Sequence, residues 1–326
     1  MKINIASKEL IHFIGIGGIG MSGLAQIMKN TGFLIQGSDL SKNKNIERLT
    51  KLGIKVYLGH DKKNIKKATM IVYSSAIKKN NKEFKAAKNK NLPMFKRGEM
   101  LANIVGLKKN IIVTGSHGKT TTTSLVANIL VEAGLDPTVI NGGVINSLKN
   151  TAQLGKGEWA VIEADESDGS FLKLPITYSI ITNIDKEHLD YYGSLKNLKN
   201  SFKKFIEKTP SFGKSLICID NINLKTLLQT CKTKNFLTYG FDKKSNYQIT
   251  HLVKKSNHSV FDLKINFKGK KNYKITNIKL NLIGDHNISN ATASIAVALN
   301  LGVQISKIKK ALKKFLGIQR RFTKVF

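Results

Sequence analysis

Residues 115–121, Gly115-Ser116-His117-Gly118-Lys119-Thr120-Thr121, set two glycines, a lysine and two threonines at a spacing that can hold a phosphate chain. A glycine turn that opens a helix aims several backbone N–H groups and the positive helix end at one small volume. In that geometry Lys119 reaches the outer phosphates and the Thr120 hydroxyl becomes a magnesium ligand. The pattern departs from the longer G-x-x-x-x-G-K-[ST], because Val113 stands where the first glycine belongs and Gly115 supplies the turn two residues later. A second stretch, Glu163-Ala164-Asp165-Glu166-Ser167-Asp168, packs four carboxylates into six residues. Carboxylates so close repel unless a divalent cation or a lysine neutralises them. Glu163 is the expected metal ligand, with Glu166 and Asp168 as alternatives, and His188, among the acids of residues 183–190, is the expected further metal or phosphate contact.

Two more clusters fit a nucleotide. Asn287 and Asn290 fall three apart on one face of a first helical turn, and their amides can pair a donor and an acceptor with a purine edge. Arg320 and Arg321, two of only four arginines in the chain, suit a γ-phosphate or a carboxylate. Nearer the start, Gly15, Gly17, Gly18 and Gly20 spell G-x-G-x-x-G, and Asp39 lies 19 residues past Gly20, where a dinucleotide fold places the acid that holds a ribose. Alone, that motif predicts a nicotinamide dehydrogenase. A phosphate loop 100 residues further on makes a nucleotide-linked substrate the expected occupant instead.

The elements that must carry these residues alternate between strand and helix. Short apolar runs at 10–14, 33–36, 54–57, 70–73 and 92–95 read as strands, with a helix at 21–29. Ser74 and Ser75 close the fourth run, at a strand's carboxyl end, where open α/β sheets bind ligands. Residues 108–110 form a polar break and the expected domain boundary. Beyond it, 111–113, 159–164, 178–182, 215–219 and 236–239 read as strands, 195–207 and 285–301 as helices, and 247–283 as short antiparallel strands added to the sheet. The expected fold is therefore α/β: a Rossmann-like parallel-sheet domain over 1–107, a P-loop-type ATPase domain with added antiparallel strands over 108–318, and a short stub at 319–326.

The formal charge of +33 comes from lysines scattered through every segment, without a stripe of interleaved aromatics. That pattern predicts a solvated surface and no nucleic-acid partner. Cys218 and Cys231 have no metal-ligand spacing and are expected as buried thiols of a reducing, cytoplasmic protein. Glycines interrupt the only N-terminal run that could mimic a secretion signal, and no apolar stretch of about 18 residues predicts membrane insertion.

Residues 12–25 (HFIGIGGIGMSGLA), 115–123, 163–171 (EADESDGSF), 182–190, 284–291 and 320–322 stand in an order that resembles the muramyl (Mur) ligase family, the ATP-dependent amide ligases of peptidoglycan precursor synthesis, and within it the MurC type. The resemblance implies a UDP-sugar in the N-terminal domain, with residues 15–20 near its diphosphate and Asp39, Ser74, Ser75 and Arg97 around it. It implies ATP on residues 115–121, with Lys119 on the phosphates, Thr120, Glu163 and His188 around Mg2+, and Asn287 and Asn290 near adenine. The implied reaction passes the γ-phosphate to the lactyl carboxylate of UDP-N-acetylmuramate, after which L-alanine attacks the acyl phosphate. Lys119, Glu163, His188, Arg320 and Arg321 are the implied catalytic set. The family carries a third, C-terminal domain, so this chain is expected to bind the UDP-sugar but to ligate poorly alone. A tripeptide-adding recycling ligase and a non-catalytic nucleotide-sugar binder are the alternatives.

Overall fold

The computed structural model describes residues 9–106, 108–141, 152–269 and 271–317. The chain divides into two compact units, the first holding described residues 9–106 and 152–154, the second 108–141 and 155–317.

In the first unit, β1 (Leu10–Ile14), α1 (Ile19–Asn30), β2 (Leu34–Asp39), α2 (Lys44–Lys51), β3 (Lys55–Leu58), β4 (Met70–Tyr73), α3 (Lys82–Asn89), β5 (Met94–Lys96) and α4 (Arg97–Val105) follow one another. The strands are parallel in the order β3-β2-β1-β4-β5. β1 is central, and Ile11, Phe13 and Ile14 are essentially inaccessible to solvent, as expected of a strand covered on both faces. The order reverses between β1 and β4, the place where open sheets of this kind part to admit a ligand. α2 and α3 start on asparagine caps: the side chains of Asn43 and Asn81 each accept two backbone N–H bonds of the first turn.

The second unit is larger and mixed. It contains β6 (Lys109–Thr114), α5 (Lys119–Glu132), β7 (Thr138–Ile140), β9 (Trp159–Glu163), β10 (Tyr178–Ile181), α6 (Leu189–Tyr192), α7 (Leu195–Glu207), β11 (Lys214–Cys218), α8 (Ile222–Thr230), β12 (Phe236–Gly240), β13 (Tyr247–Lys254), β14 (Ser259–Ile265), β15 (Tyr273–Leu280), α9 (Asp285–Asn300) and α10 (Ile305–Lys314), while the two-residue strand β8 (Ala152–Gln153) groups with the first unit. The strands run in the order β15-β14-β13-β12-β11-β10-β6-β9-β7. From β7 through β13 neighbours are parallel; β13, β14 and β15 are antiparallel. The expected added strands are thus β13 to β15. Register shifts occur between Thr250 and Val253 and between Phe261 and Leu263.

The polar break expected at 108–110 is already part of β6 from Lys109 onward: Asn110 is buried, and its amide donates to the Lys108 carbonyl at 2.8 Å. A side chain that bonds its own backbone can sit inside a strand that its polarity argues against. Cys218 and Cys231 are free and buried, and burial pushes the Cys218 thiol up to about 11, which leaves it unreactive.

The loop after β9 is held by an aromatic knot. Phe171 lies 5.2 Å from Phe202 and 5.0 Å from Phe205, ring centre to ring centre, and all three are fully buried. α7 can supply two of these rings because Leu198, Phe202, Phe205 and Ile206 fall on one face, with lysines on the other. Phe171→Ala should therefore destabilise the second unit by about 3–5 kcal/mol in denaturant unfolding, whereas Lys196→Ala on the exposed face of α7 should change it by less than about 0.5 kcal/mol.

Candidate active site

β6 ends at Thr114 and the chain turns at once into the glycine loop. Gly115 and Gly118 take φ values of +131° and +80°, which side chains with a Cβ avoid. The loop is laced to the strand beside it: Ser116 N–H donates to Asn183 O (3.1 Å), His117 N–H to Asn183 Oδ1 (2.7 Å), and the Thr182 hydroxyl to His117 O (2.6 Å). Asp185 N–H in turn donates to Ser116 Oγ at 2.9 Å. Strand β10 therefore shapes the phosphate loop of β6.

Lys119 curls back over this loop. Its Nζ donates to Gly115 O (2.7 Å) and Ser116 O (3.1 Å), and to both carboxylate oxygens of Glu166 (3.1 and 2.9 Å). Glu166 has no solvent-accessible surface. Burial pushes its carboxyl above the ordinary range, and the Lys119 charge pulls it part of the way back. His188 Nε2 lies 3.5 Å from the same carboxylate, and the Tyr192 hydroxyl donates to Glu166 O. At the next residue, the Thr120 hydroxyl donates to Glu163 Oε1 at 2.9 Å.

The residues expected to bind metal thus fall into two sets. Thr120 meets Glu163, while His188 meets Glu166, and Asp165, Glu166 and His188 can bring one ligand atom each within 4.8 Å of one another. These are hard oxygen donors with one imidazole, which suits magnesium. A cation already sits among them, the Lys119 ammonium, as the buried Glu166 charge requires.

Asn290 comes to the phosphate loop itself: a Cβ on Gly118 would stand 2.8 Å from its Oδ1. Asn287 is nearly buried and spends its amide on Ile283 O at 2.7 Å. The Thr121 side chain is buried, and His117 is exposed with its Nε2 3.1 Å from Asp185. Arg320 and Arg321 lie outside the described residues. Residues 182–190 belong to the stretches that carry the family resemblance, but the bracing roles of Thr182 and Asn183, and that of Tyr192, are not read from the sequence; the signal for the first two is their place at the end of a strand adjacent to the phosphate-loop strand.

In the first unit the glycine loop is closed in a similar manner. Gly15 and Ile16 N–H donate to Ser38 O (2.8 and 3.0 Å) and Gly17 N–H to Asp39 Oδ2 (2.7 Å). Asp39 therefore braces the loop; Leu40 N–H takes its other oxygen. A Cβ on Gly15 would stand 3.3 Å from Ser74 Cβ, and one on Gly20 3.1 Å from Arg97, so Ser74 and Arg97 flank the loop, while Gly18 N–H turns back to Gly15 O and Ser75 is exposed. A cavity of about 500 Å³ lined by Lys214, Phe236, Tyr247, Phe267, Tyr273 and Asn300 lies at the opposite, amino ends of β11 and β12, with neither carboxylate nor histidine.

Comparison with known proteins gives this geometry its context. The Mur ligase middle-domain profile matches residues 113–298, and the profile described as Mur ligase family, catalytic domain, matches residues 10–109. The chain belongs to the Mur ligase family. A relative from Pelagibacter ubique named UDP-N-acetylmuramate–L-alanine ligase is 62% identical over 326 residues, all of this chain and 70% of that protein. Among solved structures, the UDP-N-acetylmuramate-alanine ligase of Thermotoga maritima superposes with a TM-score of 0.84 at 31% identity, over 97% of this chain and 70% of that one. The UDP-N-acetylmuramate:L-alanyl-γ-D-glutamyl-meso-diaminopimelate ligase of Neisseria meningitides gives a TM-score of 0.82 at 28% identity, over 94% and 98%. Among the described residues no helix is long and apolar enough to cross a membrane.

A close approach within this Mur ligase site gives a test. Gly118→Ala would add about 1–2 kcal/mol of left-handed strain and force Asn290 aside, whereas Gly302→Ala, also left-handed at φ +77° but with open space around it, adds the strain alone. Melting temperatures should fall for both variants, by about 2–4 °C per kcal/mol, and further for Gly118→Ala.

Proposed function

We propose that the chain carries out the ATP-dependent joining of L-alanine to the lactyl carboxylate of UDP-N-acetylmuramate, through an acyl phosphate, in peptidoglycan precursor synthesis in the cytoplasm. The observation that carries this reading is the 62% identity, over the whole of this chain and 70% of the relative, to the protein named for that reaction. The site chemistry agrees with it. In this reading the first unit holds the UDP-sugar by its glycine loop and the second holds ATP by residues 115–121.

Transfer of a γ-phosphate to a carboxylate brings two anions together, so the site must screen their repulsion before any bond forms. Lys119 does this by leaving Glu166 for the γ-phosphate, and the loop N–H groups of the glycine turn hold the phosphates beside it. Thr120 with Glu163, and His188 with Glu166 and Asp165, are the residues that would hold Mg2+, which supplies charge neutralisation on the phosphates when bound. The lactyl carboxylate oxygen then bonds to phosphorus as the bond to the β-phosphate oxygen breaks. The alanine nitrogen attacks the acyl carbon and inorganic phosphate departs, leaving the amide. Asn290, against Gly118, keeps the turn in the shape the phosphates need.

A second reading, addition of a ready-made tripeptide to the same UDP-sugar, is favoured by the similarity to the Neisseria ligase at near-complete coverage of that chain. Phosphate release measured with L-alanine and with the tripeptide separates the two. Calorimetric titration should show binding of UDP-N-acetylmuramate and of Mg-ATP to the wild-type chain. Lys119→Met should weaken ATP by about 10- to 100-fold, as loss of charge-assisted bonds predicts, and leave the UDP-sugar unaffected. Failure of the wild type to bind either compound would sink the proposal.

A further inference from the structure

The first unit buries a carboxylate that the chemistry above does not use. Glu83, in the first turn of α3, has no exposed surface, yet its side chain meets polar groups from three other stretches. The Ser38 hydroxyl donates to Oε2 at 2.5 Å and the Asn64 amide to Oε1 at 2.7 Å. Asp61 N–H reaches Oε1 at 3.3 Å, and His60 Nδ1 and His12 Nε2 lie 3.2 and 3.3 Å from Oε2.

The proton positions follow from the partners. Gln36 Nε2 lies 2.8 Å from the Asn64 carbonyl, which can only accept, so that atom is the amide nitrogen; its other hydrogen points to His12 Nδ1 at 3.2 Å. His12 then carries its proton on Nε2 and donates it to Glu83. The Ser38 hydroxyl, having given its hydrogen to Glu83, accepts from His60 Nδ1 at 3.0 Å. Every oxygen of Glu83 is met by donors. Burial alone would raise this carboxyl, but the bonds from His12, Ser38 and Asn64 outweigh it and hold Glu83 below the usual carboxylate range.

An anion placed here has a local consequence. Ser38 is the residue whose carbonyl accepts Gly15 and Ile16 N–H, and its neighbour Asp39 accepts Gly17 N–H. Three successive N–H groups of the glycine loop therefore take their positions from Ser38 and Asp39, and Ser38 takes its own from Glu83. We infer that Glu83 is a positioning residue of the UDP-sugar site, acting through Ser38 to set the glycine loop and the α1 N-terminus behind it. This rests on the proposed function for the identity of the ligand.

The test uses Glu83→Gln and, should that variant fail to fold, Ser38→Ala, which removes one donor and leaves the Ser38 carbonyl in place. Calorimetry with UDP-N-acetylmuramate and with an ATP analogue should show the UDP-sugar weakened by about tenfold or more in Glu83→Gln, and by less in Ser38→Ala, while ATP-analogue affinity stays within about twofold. Amide hydrogen exchange should quicken at residues 15–21 and stay slow across β1, β4 and β5. Exchange that rises evenly across the whole unit, or unchanged affinity and unchanged loop exchange in both variants, overturns the inference. A wild type that binds no UDP-sugar overturns the functional reading instead, and the loop exchange still decides the role of Glu83.

Discussion

The contact between the Lys119 ammonium and the Glu166 carboxylate organises the larger unit. Glu166 is wholly buried and Lys119 partly so, and a charge buried without its partner costs several kcal/mol. The loop after β6 and the loop after β9 start side by side, because β6 pairs with β9 as far as Val113 and Glu163, and the ion pair holds them together beyond the last ladder bond. Once Lys119 is drawn to Glu166, its remaining hydrogens find Gly115 O and Ser116 O, so the glycine turn closes around the side chain that follows it. β10 completes the enclosure from the other side through Thr182 and Asn183. In the proposed function a triphosphate entering this loop would meet a lysine already committed to a carboxylate, and its binding would exchange one anion for another on that lysine.

The smaller unit meets a similar geometric demand by other means. Its glycine loop also follows a strand with a parallel neighbour on each side, but among the described residues no lysine crosses it. Backbone acceptors at Ser38 and the Asp39 carboxylate hold the turn, and an anion beneath them is satisfied by hydroxyl, amide and imidazole donors. One loop is shaped by an ion pair that, in the proposed function, a ligand would open. The other is shaped by hydrogen bonds that a ligand can leave intact.

Much of this was legible in the residue order. The apolar runs of β1, β6, β9 and β10 announced themselves because strands covered on both faces read as unbroken hydrophobic stretches. Both glycine turns were legible because φ above zero restricts the residue choice. The pairing of carboxylates was not. Spacing brought Glu163 and Glu166 within three positions of each other, but which one faces Thr120 and which one faces Lys119 depends on where β9 ends and how the following turn is packed by Phe171. The reach of Asn290 to Gly118 was likewise hidden, since it follows from the docking of α9 on α5 and not from any property of residues 284–291. Asp39 was read as a ribose ligand from its distance to the loop; the same distance lets it brace Gly17.

The far border of the larger sheet carries a consequence of its own. β15 ends the strand order, with Asn277 at φ +54° interrupting its extended run, a register shift against β14, and Lys274 and Lys279 along its length. A neighbouring polypeptide seeking to continue the ladder would find its amides out of step and would meet Lys279 as well as Lys274, the latter paired with Asp262. The bent backbone and the slipped register thus blunt this border against a second copy zipping onto it.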